Sequence, residues 1–123
     1  MLDVFRHIVH AAGYSMAGFA YLLRSELSAR IEMGAVFLAI LWFLVLGRPL
    51  SNYLILVILA CLIFSLEALN TAIEVVVDRI SPEHTNFGRI AKDLGSTSVF
   101  FTLLAGSLYI AAVTADAFGL LTL

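Results

Sequence analysis

The segment Glu67-Ala68-Leu69-Asn70-Thr71-Ala72-Ile73-Glu74-Val75-Val76-Val77-Asp78 continues without a break out of the apolar run from Tyr53 to Leu66. Acidic side chains therefore stand at the end of what reads as a membrane helix. At about 100° per residue, Glu67, Asn70, Glu74 and Asp78 fall within an arc of roughly 80°, with Thr71 just beside it. The rest of the surface is Ala, Leu, Ile and Val. An acidic side chain near the bilayer centre costs on the order of 3 kcal/mol on insertion scales, so a stack of them demands cations, protons or partner helices. This face reads as a site.

The 123-residue chain is long enough for one domain. With 62% hydrophobic and 13% charged residues it is too apolar for an ordinary soluble domain, which places it in the membrane class. Nearly all its charge lies in residues 3–32 and 67–93, and neither block has the dense Lys/Arg stripe of a nucleic-acid footprint, so no nucleic-acid partner is expected. A single cysteine, Cys61, excludes an intrachain disulfide and reads as a small buried apolar residue. Asp3, Arg6, His7 and His10 interrupt the N-terminal apolar residues, which is unlike a signal peptide.

Residues 3–25 place Phe5, Ile8, Ala12, Met16, Phe19 and Leu23 at helical spacing, with Arg6, His10, Ala17, Tyr21 and Arg24 towards the other side. This predicts an amphipathic surface helix, too often interrupted by charge to span, lying in the membrane interface. Glu26 and Arg30 are spaced for an i, i+4 ion pair. A first transmembrane helix is expected over 31–47, where Gly47, Arg48 and Pro49 stop it. It is short, so Glu32 and Arg48 must lie near the two interfaces, where Trp42 is also at home. A second transmembrane helix is expected over 52–80, a polar cytoplasmic loop over 81–90, and a third transmembrane helix over 91–121. Gly95, Ser96 and Gly106 read as packing residues that let another backbone approach closely. The fold class is thus an all-α membrane protein, one surface helix plus three transmembrane helices.

Arg6, Arg24 and Arg30 precede the first span, Arg79, Arg89 and Lys92 lie between the second and third, and only Arg48 falls in the other loop. The positive-inside rule then predicts a cytoplasmic N-terminus and 79–92 loop. That brings Glu26, Glu32, Glu74, Asp78, Lys92 and Asp93 towards the cytoplasmic surface, with Glu67 roughly 16 Å deeper than Asp78 along the helix axis.

Carboxylate ligands without a Cys/His cluster point to a hard cation such as Mg²⁺, with Mn²⁺ as a substitute, in preference to zinc. Mg²⁺ commonly takes one or two carboxylates plus phosphate oxygens. Lys92 would neutralise charge on a transferring phosphoryl group, and Glu67 would take a proton from a hydroxyl presented from the bilayer. No P-loop is present. On the residues alone three readings stand: membrane-embedded phosphoryl transfer, a small proton- or cation-coupled transporter subunit, and polar glue between the helices of an oligomer. The adjacent polar loop with Lys92-Asp93 favours the first.

Glu67-x-x-Asn70-x-Ala72-Ile73-Glu74-x-x-x-Asp78, followed by Ala91-Lys92-Asp93-x-Gly95-Ser96, resembles the signature of the prokaryotic diacylglycerol kinase family, which includes the undecaprenol kinases. Ala11-Ala12-Gly13-Tyr14-Ser15 and Ser25-Glu26 look like its N-terminal block, so the likeness covers essentially the whole chain. The resemblance implies a homotrimer in the bacterial inner membrane, with active sites shared between neighbouring subunits, transferring the γ-phosphate of MgATP to a lipid hydroxyl. It implies Glu67 as general base, Glu26 and Glu74 as metal-binding and nucleotide-side residues, and Tyr14 beside the adenine. Asp78, Lys92 and Asp93 are implied on the nucleotide side, Ser15 on the lipid side, and Asn70 as a substrate-binding or structural polar residue. His7 and His10 stand where the family pattern carries Arg and Lys, and no role transfers to His84, which reads as an exposed loop histidine. Gly13-Tyr14-Ser15 favours diacylglycerol as the lipid, whereas Phe5-Arg6-His7 and Ser81-Pro82-Glu83 look more like the undecaprenol branch, which is the alternative.

Overall fold

A computed structural model of the chain describes residues 1–122, which form the helices α1 (Leu2–Ser25), α2 (Leu27–Val45), α3 (Leu50–Ile80) and α4 (Asn86–Ala117). Among the described residues α2, α3 and α4 are each long and apolar enough to cross a membrane. With 31 and 32 residues, α3 and α4 extend over about 46–48 Å, well beyond a hydrocarbon layer of about 30 Å.

The ends of the helices follow from local chemistry. Glu26 is the single residue between α1 and α2, extended at φ −105° and ψ 122°, and its N–H closes α1 on the Leu22 carbonyl. The polar patch after Arg24 is therefore almost wholly helical, and α2 starts four residues before the expected 31. Outside helical geometry, the Glu26 side chain loses the register that would bring it to Arg30, and the two form no ion pair among the described residues. At the other end of α2, Gly47 adopts φ +62°, its N–H bonds the Leu44 carbonyl, and Arg48 N–H bonds that of Phe43. This is a Schellman stop, which glycine permits without a Cβ penalty.

The loop expected over 81–90 is shorter. Thr85 caps α4, its hydroxyl accepting from Gly88 N–H at 3.2 Å and meeting Ser81 Oγ at 2.5 Å, so the helix begins at Asn86. It ends at Ala117 and not near 121, because Gly119 turns the chain at φ +68° and Leu120 N–H bonds the Ala115 carbonyl.

The tight turn makes α3 and α4 an antiparallel hairpin, the most extensive packing in the chain, with α2 and α1 lying against it more lightly. The buried core is small: Ala39, Phe43, Leu56 and Val113, flanked by Ile40, Tyr53, Tyr109 and Ile110. Phe43 meets Tyr53 and Tyr109 edge-on. The C-terminal part of α1 is seated by buried Leu22 and by the Phe19–Phe64 edge contact at 5.5 Å. Cys61, expected to be buried, is exposed on α3, because an apolar residue of a spanning helix is as well placed against lipid as against protein.

Candidate active site

The polar face of α3 is laid out in levels. Deepest is Glu67, only 4% exposed, whose carboxyl lies within hydrogen-bonding reach of that of Glu32 on α2, itself 7% exposed. Glu32 Oε2 has no hydrogen-bond partner, and its side chain heads a narrow, mainly apolar cavity of about 90 Å³ between α2, α3 and α4. The early start of α2 sets Glu32 a turn inside the helix, against α3.

One turn beyond Glu67 stands Asn70. Its Nδ2 donates to Glu74 Oε1 at 3.1 Å, while its Oδ1 is buried without a partner. Gly95 of α4 faces that oxygen so closely that a Cβ there would lie 2.3 Å from it. Asn70 thus holds one oxygen of a half-buried carboxylate and leaves the other available. Nearer the turn, Lys92 Nζ donates to Asp78 Oδ1 at 2.5 Å. A lysine has three donors, so two stay free for an anion. Asp93 is held by Arg89 at 2.9 Å, and Arg89 is oriented in turn by Asn86.

Asp78, Arg89, Lys92, Asp93 and His84 line a cavity of about 270 Å³ at the α3–α4 turn. Ligand pockets commonly run from about 300 to 1,000 Å³, so this one would admit only part of a nucleotide. His84 is exposed, as expected, but adopts φ +54° and borders this cavity.

One chain brings together Glu67, Asn70, Glu74, Asp78, Lys92 and Asp93 along the hairpin. Among the described residues no hydrogen bond or ion pair ties them to Tyr14, Ser15 or Glu26. Tyr14 is 76% exposed on α1, the Ser15 hydroxyl donates to the Ala11 carbonyl of its own helix, and no hydrogen bond or ion pair links Glu26 to the hairpin among the described residues. Glu32, Gly95, Arg89 and His84 carried no site role on sequence. For Gly95 the signal was its place next to Lys92-Asp93. Glu32 lay six residues beyond Glu26, but which helix it faced was not readable.

Among the described residues no group of three or more His, Cys, Asp or Glu side chains converges on a point. An ion such as Mg²⁺, held by one or two carboxylates and completed by phosphate oxygens, fits Glu74, whose carboxylate is oriented by the Asn70 amide through one of its two oxygens.

A model of the prokaryotic diacylglycerol kinase family matches residues 13–114. A diacylglycerol kinase of Sinorhizobium is 40% identical over 108 residues, 88% of this chain and 78% of the relative. Those of Pseudomonas aeruginosa and Escherichia coli K12 are 37% and 36% identical over 100 residues, covering 80% and 82% of their own lengths and about four-fifths of this chain.

Proposed function

Because the chain belongs to the prokaryotic diacylglycerol kinase family, a family of phosphotransferases acting on an alcohol group, we propose that it transfers the γ-phosphate of MgATP to the hydroxyl of diacylglycerol, giving phosphatidic acid. The observation that carries this reading is the graded polar face of the α3–α4 hairpin. If α3 enters the apolar layer at Leu50, about 20 residues of helix cross it, so Glu67 lies just inside its far boundary and Glu74, Asp78 and Lys92 just outside. A lipid headgroup and a nucleotide phosphate would meet at that level.

Mg²⁺, when bound, would supply charge neutralisation and a template for the phosphates, held by Glu74 and by Glu26. Glu67 accepts the proton of the lipid hydroxyl as its oxygen attacks the γ-phosphorus, the bond from that phosphorus to the β–γ bridging oxygen breaks and ADP leaves. Lys92 offsets charge gathering on the phosphoryl oxygens, Asp78 fixes the lysine, and Asp93 serves the nucleotide side. Tyr14 packs by the adenine and Ser15 contacts the lipid. The last two, with Glu26, are supplied to the hairpin of a neighbouring subunit in a homotrimer, in keeping with the lack, among the described residues, of any hydrogen bond or ion pair from them to the hairpin of their own chain. The undersized cavity at the turn supports the same arrangement. Helix α1 lies in the cytoplasmic interface of the bacterial inner membrane, and the site faces the cytoplasm, in keeping with the basic residues beside it.

The test is phosphate transfer from labelled MgATP by the purified protein in mixed micelles, with diacylglycerol and undecaprenol in parallel. Product from diacylglycerol, lowered about 10²–10⁴-fold in Glu67→Gln with assembly intact, is expected. Product from undecaprenol alone would move the protein to that branch of the family. A normal rate in Glu67→Gln would remove this residue from the mechanism, and flux driven by a pH gradient without ATP would restore the transporter reading.

A further inference from the structure

We infer that Gly95 is a positioning residue: by carrying no side chain it seats the Asn70 amide, and Asn70 in turn holds the Glu74 carboxylate in the orientation from which it takes metal. The inference rests on the proposed reading that Glu74 is a metal ligand, and deepens it.

Three observations meet at this point of the hairpin. Asn70 Oδ1 is buried without a hydrogen-bond partner, an arrangement that is costly and calls for a reason. The same amide donates through Nδ2 to Glu74 Oε1 at 3.1 Å, which fixes the amide plane and leaves Oδ1 pointing at α4. Where Oδ1 points, α4 has a buried glycine, and a Cβ there would stand 2.3 Å from Oδ1 and 3.4 Å from Asn70 Cγ. The other nearby atom, Ile73 Cδ1, would lie at an ordinary 3.6 Å.

The clash is therefore with the amide alone. An alanine at 95 would be accommodated by swinging the Asn70 side chain, not by parting the helices. The swing breaks the bond to Glu74. Partners that orient a metal ligand typically matter about 10–100-fold in metal affinity, so the consequence should appear in metal binding before it appears in folding.

The measurement is water-proton relaxation enhancement by Mn²⁺ complexed with a non-hydrolysable ATP analogue, titrated with the detergent-solubilised full chain. Wild type is compared with Gly95→Ala, Asn70→Ala, the double variant and Glu74→Ala. Gly95→Ala is expected to weaken binding of the complex about tenfold or more, Asn70→Ala similarly, and the double variant no more than Asn70→Ala. Unchanged affinity in Gly95→Ala beside weakened Glu74→Ala overturns the inference and leaves the metal reading standing. Unchanged affinity in Glu74→Ala overturns both. Additive losses in the double variant also overturn the inference, since Gly95 would then act through something other than Asn70. If Gly95→Ala fails to assemble, recovery in the double variant, where truncation of Asn70 vacates the space, supports it, and failure there too overturns it.

Discussion

Glu67 and Glu32 set two carboxyls side by side in the least exposed part of the polar face. Holding the Glu67 side chain in place is what Glu32 can do for the chemistry, because α2 and α3 meet there and a misplacement of about 1 Å can cost on the order of 10²-fold in rate. Glu32→Leu should lower kcat between about tenfold and a hundredfold with little change in the KM for ATP, whereas Glu32→Gln, which keeps the shape and can donate to Glu67, should retain most of the activity. Equal losses in both variants would count against a positioning role. The acidic stripe itself was legible from spacing, because Glu67, Asn70, Glu74 and Asp78 share one helix and helix geometry is local. The parts played by Glu32 and Gly95 were not, because each is defined by a residue on a different helix.

At the scale of elements, the two ends of the bundle are held by different means. The α3–α4 turn is short and capped by Thr85. At the opposite end a polar latch ties the α2–α3 connection to α4: Arg48 pairs with Asp116 and donates to Asn52 Oδ1, and the Asn52 amide donates to the Tyr109 hydroxyl. The Trp42 indole adds a bond to Thr114 at 3.0 Å. With side chains 17% and 20% exposed, the Arg48–Asp116 pair is far from a free surface bridge. Arg48→Met should destabilise the chain by about 1–3 kcal/mol in reversible unfolding in mixed micelles, while leaving the Mg²⁺ dependence of the folded fraction unchanged. A shifted Mg²⁺ dependence would mean that the latch communicates with the site. On sequence Arg48 was one basic residue in an outer loop and Trp42 an interface anchor, since neither residue announces a partner more than 60 positions away.

For the whole molecule, the small core and the many exposed large apolar side chains, Phe37, Leu38, Phe100 and Phe101 among them, are what a bundle solvated by lipid requires. They do not by themselves call for a partner. The case for one lies in Tyr14, 76% exposed, and in the lack, among the described residues, of any hydrogen bond or ion pair from Ser15 or Glu26 to the hairpin. Crosslinking in mild detergent should therefore run to trimers, and co-assembly of Glu67→Gln with Glu26→Ala subunits should restore part of the activity that each lacks alone. Crosslinking that stops at dimers, or mixed assemblies with no recovery, would leave each chain to form its own site. Sequence by itself determined the membrane class, the helical composition and the stripe of polar residues on α3, because these follow from apolar length and from a period of about 3.6 residues within single segments. Only the tertiary structure decided which side chains meet across segments: Glu32 with Glu67, Asn70 with the bare surface of Gly95, Lys92 with Asp78, and Arg48 with Asp116. The register between two helices is set by the sum of many small packing contacts along their length, and no single residue carries that sum.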